Sequence, residues 1–144
     1  MYGRNDHYDS NNSHVFPALI AKIHAAKMQN LPTHTLWGTG TPRREFLHAD
    51  DLAEAIYILL NQKNPPEWIN IGYGSDVTIR ELAETIKQVV GFEGDFIFDT
   101  AKPDGTMKKL MDSSKIAALG WKPKFDLRSG IQDAYKDYLQ KRGN

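Results

Sequence analysis

The 144-residue sequence contains no cysteine, no excess of charge of either sign and no long apolar run. Without cysteine it forms neither disulfides nor thiolate zinc sites, which fits a reducing compartment. Because 18 basic side chains balance 18 acidic ones, nothing draws the chain toward nucleic acid or an anionic membrane surface. No stretch approaches the roughly 20 apolar residues that span a bilayer, and the first residues lack the apolar run of a secretory signal. We therefore expect a cytoplasmic protein with no nucleic-acid or membrane partner.

The composition is that of an ordinary globular protein, with 40% hydrophobic and 25% charged residues. A chain of this length buries roughly 68–70% of its unfolded surface, which is enough for one core. Segments with helical periodicity alternate with short strand patterns, so we predict the α/β class. No repeat or linker divides residues 1–144, and we expect one domain or a piece of a larger one.

Helix starts are the clearest local signals. A capping box formed by Thr78 and Glu81 predicts a helix that ends before Gly91. Ser13 is the expected N-cap of a helix over residues 14–29, after a polar N-terminal loop.

Further elements are predicted along the rest of the chain. Asp112 or Ser113 is expected to cap a short helix that ends at Gly120, and Asp126 opens the last helix. Short apolar segments predict three strands, at residues 33–37, 68–71 and 96–98. Three short strands are few for the apolar faces that these helices present.

The helix predicted over residues 51–60, with Asp50 as its cap, is apolar nearly all round and leaves only Glu54 clearly polar. A helix of this kind is expected to be buried on more than one side. We predict that it packs against a sheet on one face and against more protein on another.

The histidines and glycines carry no strong site signal. The five histidines show no metal-ligand spacing, and His24 is expected to be a solvated surface residue. The pairs Gly38-x-Gly40 and Gly72-x-Gly74 each lack the third glycine of a dinucleotide-binding fingerprint. We therefore predict no metal site, and two ordinary turns instead of a nicotinamide pyrophosphate site.

Two charged pairs also have simple explanations. Asp50 and Asp51 stand at a helix start, where capping and the helix dipole favour acidic residues. Lys108 and Lys109 form a basic cluster that is typical of a solvated loop, with a diphosphate contact as the alternative.

Several segments together point to a family. The most specific are Ser-His-Val-x-Pro at 13–17, Trp-Gly-x-Gly-x-Pro-x-Arg at 37–44 and Lys-Pro-Asp-Gly-Thr at 102–106. A weaker one, His-x-Asp-Asp-Leu-Ala at 48–53, recurs across extended short-chain dehydrogenases/reductases. In this order, and over nearly the whole chain, they resemble the C-terminal portion of the GDP-L-fucose synthases.

The resemblance implies the substrate-binding portion of an extended short-chain dehydrogenase/reductase, without the N-terminal Rossmann core. The family epimerises GDP-4-keto-6-deoxy-D-mannose at C3 and C5 and reduces C4 with NADPH, giving GDP-L-fucose. Its glycine fingerprint and its catalytic Ser and Tyr-x3-Lys pair belong to the Rossmann half, and this sequence has none of them. The chain alone is therefore expected to bind a GDP-sugar at most. Residues 45–74 are expected to pack on the Rossmann half of a protein that is a homodimer when full length.

Five residues match positions with a role in the family. His14 matches a histidine near the nicotinamide and the sugar, which makes it both a cofactor contact and the candidate acid of epimerisation. An imidazole, with its pKa near ~6.5, can deliver that proton at neutral pH. Lys22 matches a basic substrate contact about two turns along the same helix, and Trp37 a tryptophan on the GDP-sugar. Arg44 matches an arginine on the diphosphate, and Asp104 a carboxylate on the nucleotide.

The residue types suit these roles, although one loop departs from the family. The flat face of Trp37 suits a sugar or base, and the fork of Arg44 suits a diphosphate better than a lysine would. Residues 2–8 differ from the family's Tyr-Gly-Pro-x-Asp-Asn-Phe, which affects how substrate is placed beside them. Two alternatives stay open: a fragment of another nucleotide-sugar epimerase/dehydratase, which would prefer UDP, and a non-catalytic GDP-sugar-binding module.

Overall fold

The computed structural model describes residues 1–9 and 12–142. Residues 10 and 11, which belong to the predicted N-terminal loop, and residues 143 and 144 lie outside the described part. The helices are α1 Val15–Met28, α2 Ala49–Leu60, α3 Ile79–Val90, α4 Ser114–Ala118 and α5 Leu127–Arg142. The strands are β1 Thr33–Trp37, β2 Arg43–Arg44, β3 Val77–Thr78, β4 Asp95–Asp99 and β5 Lys108–Lys109. The predicted α/β class is confirmed.

The strands form two small sheets. β1 and β4 pair in parallel, with Trp37 opposite Asp99 at their carboxyl ends. A parallel pair needs a long crossover, and here the connection contains α2 and α3. The second sheet has the order β3-β2-β5, with β3 antiparallel and β5 parallel to β2.

The main core lies where α1, α3 and α5 pack together. Its fully buried side chains come from all three helices and include Ile20, Ile23, Leu82, Ile86 and Ile131. A smaller apolar cluster contains Leu47, Ala55, Ile116 and Trp121. The larger core fixes α1 and the sheet that α1 covers.

The helix starts test the predictions residue by residue. The capping box is confirmed, because Thr78 Oγ1 accepts from Glu81 N at 3.0 Å and Thr78 N donates to Glu81 Oε2 at 2.7 Å. Ser13 is wrong as the cap of α1: that position is His14, whose side chain makes no capping bond. Asp50 is wrong as the cap of α2, where His48 Nδ1 accepts from Asp50 N at 3.2 Å.

The caps predicted for α4 and α5 agree better with the structure. Asp112 Oδ1 accepts from Ser114 N at 2.9 Å before α4. Asp126 Oδ1 accepts from Ser129 N at 2.7 Å at the start of α5. Because these bonds form within a few residues, the local sequence is enough to predict them.

The strand predicted over residues 68–71 is wrong. No residue of this segment is in a strand among the described residues, and Trp68 is 65% exposed. Ile69 and Ile71 instead pack against the smaller apolar cluster. An apolar segment becomes a strand only when its backbone forms hydrogen bonds with a neighbouring strand. The described part of the chain has no strand beside this segment.

Within this chain α2 is buried on one side only, and the face expected to pack on more protein is exposed. Only Asp51 and Ala55 are buried. Three large apolar side chains, Ile56, Tyr57 and Leu60, are 45%, 68% and 79% exposed. α2 therefore covers the small cluster with one face and presents an apolar opposite face.

His24 is buried on α1, which corrects its prediction as a surface residue. Its Nδ1 lies 2.9 Å from the Tyr135 hydroxyl of α5. Burial, with smaller contributions from Arg142 and Lys27, lowers the pKa of His24 below its usual value. His24 therefore serves the α1–α5 contact as a neutral side chain.

Candidate functional site

The candidate site lies beyond the carboxyl ends of β1 and β4. Trp37 ends β1, and the turn of residues 38–42 and the loop of residues 100–106 follow the two strands. Gly38 N donates to Asp99 O at 2.9 Å, which holds the start of the turn to the end of β4. In α/β folds ligands bind at this edge of a parallel sheet, so the topology itself indicates where to look.

Trp37 and Lys22 meet in one cleft. The cleft measures about 380 Å³, and its lining also includes Leu19 and Leu36. Trp37 is 71% exposed, and Lys22 Nζ lies 5.5 Å from its ring centroid. Lys102 Nζ, from the loop of residues 100–106, lies 5.5 Å from the same centroid. An exposed aromatic ring with two ammonium groups can receive a planar group that carries negative charge.

His34, on β1, adds no charge to this region at neutral pH. Burial first, and then the positive charge of Lys22, lowers the pKa of His34 below its usual value. The imidazole is therefore neutral at pH 7, which leaves the lysines as the cations beside Trp37.

His14 and Arg44 meet in a second cleft of about 550 Å³. His14 stands just before α1, and its exposed imidazole makes no hydrogen bond within the described part of the chain. Arg4 and Lys109 also line this cleft. Val15 borders both clefts, so they adjoin, although His14 and Lys22 do not share one cleft.

The pairing of β2 with β5 explains the charge of this second cleft. Arg43 lies opposite Lys108, and Arg44 opposite Lys109. Like charges that face each other across strands are unfavourable unless something neutralises them. Asp76 does so for the first pair, with Arg43 Nε at 2.6 Å and Lys108 Nζ at 3.6 Å from its oxygens.

No such carboxylate pairs with Arg44 or Lys109 among the residues that the structure describes. Glu45 lines the same cleft, but its oxygens accept from Gly74 N at 2.7 Å and Met111 N at 3.3 Å. Two neighbouring cations therefore face the cleft, and the segment predicted as a solvated loop is strand β5. The arrangement suits a diphosphate.

The Arg43–Asp76 pair gives a pH-dependent prediction. The hydrogen bond from Arg43, and then its charge and that of Lys108, lowers the pKa of Asp76 below its usual value. The stability that ionised Asp76 contributes is therefore complete above about pH 4 and is lost as the pH falls through the lowered pKa. In urea denaturation, Asp76→Asn should lower stability at pH 7, and its difference from the unmodified chain should shrink toward pH 3. A difference that is constant with pH would contradict this.

Asp104 is the one predicted site residue that lies outside both clefts. Its carboxylate accepts from the backbone and the hydroxyl of Thr39. A nucleotide contact by Asp104 stays a prediction. The structure thus brings together Lys22 with Trp37, and His14 with Arg44, in adjoining clefts.

Sequence reasoning missed Thr39 and Lys102 as members of this region. Both lie inside motifs that carried the family resemblance, but neither has a residue type that marks a role by itself. No group of acidic and histidine side chains in the described ranges could hold a metal ion. None of the described helices is long and apolar enough to cross a membrane.

Comparison with known proteins identifies the family. Residues 1–72 match the model of the NAD dependent epimerase/dehydratase family. The chain belongs to that family. It is 54% identical over 140 residues to GDP-L-fucose synthase 1 of Arabidopsis thaliana, covering 97% of this chain and 43% of that protein. The chain thus spans less than half the length of this relative, and the match is to its C-terminal part.

Solved structures of family members have the same fold. A GDP-L-fucose synthetase from Naegleria fowleri bound to NADP is 27% identical, with a TM-score of 0.87 and coverage of 99% of this chain and 45% of that one. A GDP-6-OMe-4-keto-L-xylo-heptose reductase from C. jejuni is 38% identical, with a TM-score of 0.83 and coverage of 97% and 51%. The fold is therefore that of the C-terminal portion of an extended short-chain dehydrogenase/reductase.

Proposed function

We propose that this chain is the GDP-sugar-binding portion of a GDP-L-fucose synthase, which converts GDP-4-keto-6-deoxy-D-mannose to GDP-L-fucose. The observation that carries the proposal is the pair of adjoining clefts. One has an exposed aromatic ring, and the other has two cations, Arg44 and Lys109, that no carboxylate of the described residues pairs with. A nucleoside diphosphate sugar needs both kinds of contact. The similarity to GDP-L-fucose synthases supports guanine as the base.

Each side chain has a defined part in this proposal. Trp37 stacks on a flat group of the ligand, and Lys22 supplies charge beside it. Arg44 holds the diphosphate through its planar fork, with Lys109 as a second positive charge. His14, exposed at the mouth of the second cleft, delivers a proton to the enolate carbon during epimerisation.

NADP(H) is implied for the full-length enzyme, but this chain does not fit as its main binding site. A dinucleotide pyrophosphate sits on a helix N-terminus reached through a glycine-rich loop. Here Gly38 and Gly40 lead into β2, and Gly74 leads into β3. His14 can contact the nicotinamide, and the Rossmann half would hold the rest, so the isolated chain has no route to hydride transfer.

The apolar face of α2 supports the further proposal that residues 45–74 pack on the Rossmann half. This face is a solvent-exposed apolar patch formed by Ile56, Tyr57 and Leu60. Such patches mark interaction surfaces. Dimerisation of the full-length enzyme belongs to the same proposal.

Calorimetric titration of the chain with GDP, and with UDP for comparison, tests the proposal. GDP should bind more tightly than UDP, and Arg44→Ala should weaken GDP binding about 10–100-fold, because a charge-assisted hydrogen bond contributes about 1.5–3 kcal/mol. Arg128→Ala is the matched control, since Arg128 donates to Gln88 on the α3–α5 side and lines neither cleft.

The outcomes separate the candidates. Tighter binding of UDP would favour another nucleotide-sugar epimerase/dehydratase. The similarity to a heptose reductase instead favours a second candidate, another GDP-sugar reductase, which would also select GDP. Absence of binding to either nucleotide would contradict GDP-sugar recognition by this chain alone. A non-catalytic module would bind GDP yet restore no activity with a Rossmann half.

A further inference from the structure

Asp104 and Thr39 form a two-point contact between the loop of residues 100–106 and the turn of residues 38–42. Asp104 Oδ1 accepts from Thr39 N at 2.7 Å, and Oδ2 accepts from Thr39 Oγ1 at 2.7 Å. An ionised carboxylate only accepts, and hydrogen bonds to it are stronger than neutral ones. One carboxylate thus holds both the backbone and the side chain of a single turn residue.

The Thr39 hydroxyl makes all the hydrogen bonds that it can form, one as donor and two as acceptor. Its single hydrogen goes to Asp104, so the Thr41 hydroxyl, 2.7 Å away, must be the donor in their contact. Thr41 N also donates to Thr39 Oγ1 at 3.2 Å. A hydroxyl with one donor and two acceptor bonds fixes the turn, and valine, with the same shape, would form none of the three.

Gly38 permits this close approach. A Cβ added at Gly38 would overlap Asp104 Oδ1, and the φ of Gly38 is +78°, in the region that favours glycine. The turn is therefore shaped around the carboxylate.

The same loop lies beside one residue of each cleft, Trp37 and Arg44. Lys102, two residues before Asp104, places its ammonium 5.5 Å from the Trp37 ring centroid. On the other side, a Cβ at Gly105 would lie 4.0 Å from Arg44 Nη2. Arg43 N donates to Met107 O at 2.7 Å, which ties the end of the loop to β2.

We propose that Asp104 and Thr39 are positioning residues, whose paired hydrogen bonds set the placement of Trp37 and Lys102 relative to Arg44. This role replaces the predicted nucleotide contact: Asp104 affects a ligand through the placement of Trp37 and Lys102 and does not contact the ligand itself. The inference rests on the proposed GDP-sugar site for its functional consequence, but the contact can be tested without a ligand.

The experiment compares Thr39→Val, Thr39→Ser and Asp104→Asn with Thr85→Val as the matched control. Thr85 likewise donates its hydroxyl in a hydrogen bond, here to the backbone oxygen Glu81 O at 2.8 Å, on the part of α3 that faces away from the core. GDP affinity is measured by calorimetry. Hydrogen–deuterium exchange of peptides over residues 37–44 and 100–107 is measured on the ligand-free chain.

Thr39→Val should weaken GDP binding at least fivefold and speed exchange in both peptides, whereas Thr39→Ser should stay within twofold of the unmodified chain in both measurements. A loss with Asp104→Asn that Thr39→Val does not share would mean that Asp104 contacts the ligand directly, which would overturn the proposal. Thr39→Val behaving like Thr85→Val would overturn it as well. If the unmodified chain binds no GDP, the proposed function fails. Faster exchange of Thr39→Val confined to the two peptides would then still support the positioning contact, and unchanged exchange would overturn it.

Discussion

Leu82→Ala is expected to lower the free energy of unfolding by about 2–5 kcal/mol, because a fully buried leucine leaves a cavity when it is truncated. Leu82 has no exposed surface and lies on α3 in the core that α1, α3 and α5 share. Domains of this size are stable by only about 5–15 kcal/mol, so the variant loses a large fraction of the total. Urea denaturation followed by circular dichroism measures the loss.

Leu139→Ala is the control for this change. Leu139 lies on α5 and is 42% exposed, so the same truncation removes less buried surface and should cost about 1 kcal/mol or less. Equal losses for the two variants would mean that the three-helix core does not carry the stability of the chain.

Sequence reasoning succeeded where a bond joins residues close in the chain. The capping box of Thr78 and Glu81 needs only a spacing of three, and the cap at Asp126 needs the same. The strands β1 and β4 were predicted from short local segments, residues 33–37 and 96–98, whose residue types favour a strand. Neither success required knowledge of the rest of the fold.

Elements that depend on distant partners escaped prediction. β2, β3 and β5 have two residues each and exist only through their mutual pairing. No pattern in two residues identifies a strand, so Lys108 and Lys109 resembled a solvated loop. The apolar segment at residues 68–71 failed for the opposite reason, since it has strand character but no partner in the described chain.

In the candidate site, too, the residue types could be predicted from the sequence, but the contacts between distant residues could not. The residue types of His14, Lys22, Trp37 and Arg44 were found through the family resemblance, and the fold then placed them in two adjoining clefts. Only the register of β2 against β5 reveals that Lys109 stands beside Arg44 and that Asp76 neutralises the other basic pair. Charge composition alone, with a net charge of zero, conceals this local excess of positive charge.

Asp51→Ala is expected to lower the free energy of unfolding by about 2–4 kcal/mol, because it leaves two backbone N–H groups without their acceptor. The sequence assigned Asp51 to the helix dipole, but its carboxylate is buried and accepts from Lys124 N at 3.0 Å and Phe125 N at 3.1 Å. It therefore ties the start of α2 to the segment that leads into α5.

Asp50→Ala is the matched control, since Asp50 is the neighbouring carboxylate at the same helix start. Its side chain is 50% exposed and pairs with Arg4 at the surface, and such pairs contribute about 1 kcal/mol or less. If the helix dipole were the main role of both residues, the two variants would lose similar amounts of stability in urea denaturation. A loss for Asp51→Ala that is at least twice that for Asp50→Ala would show that the bonds to Lys124 and Phe125 decide its role.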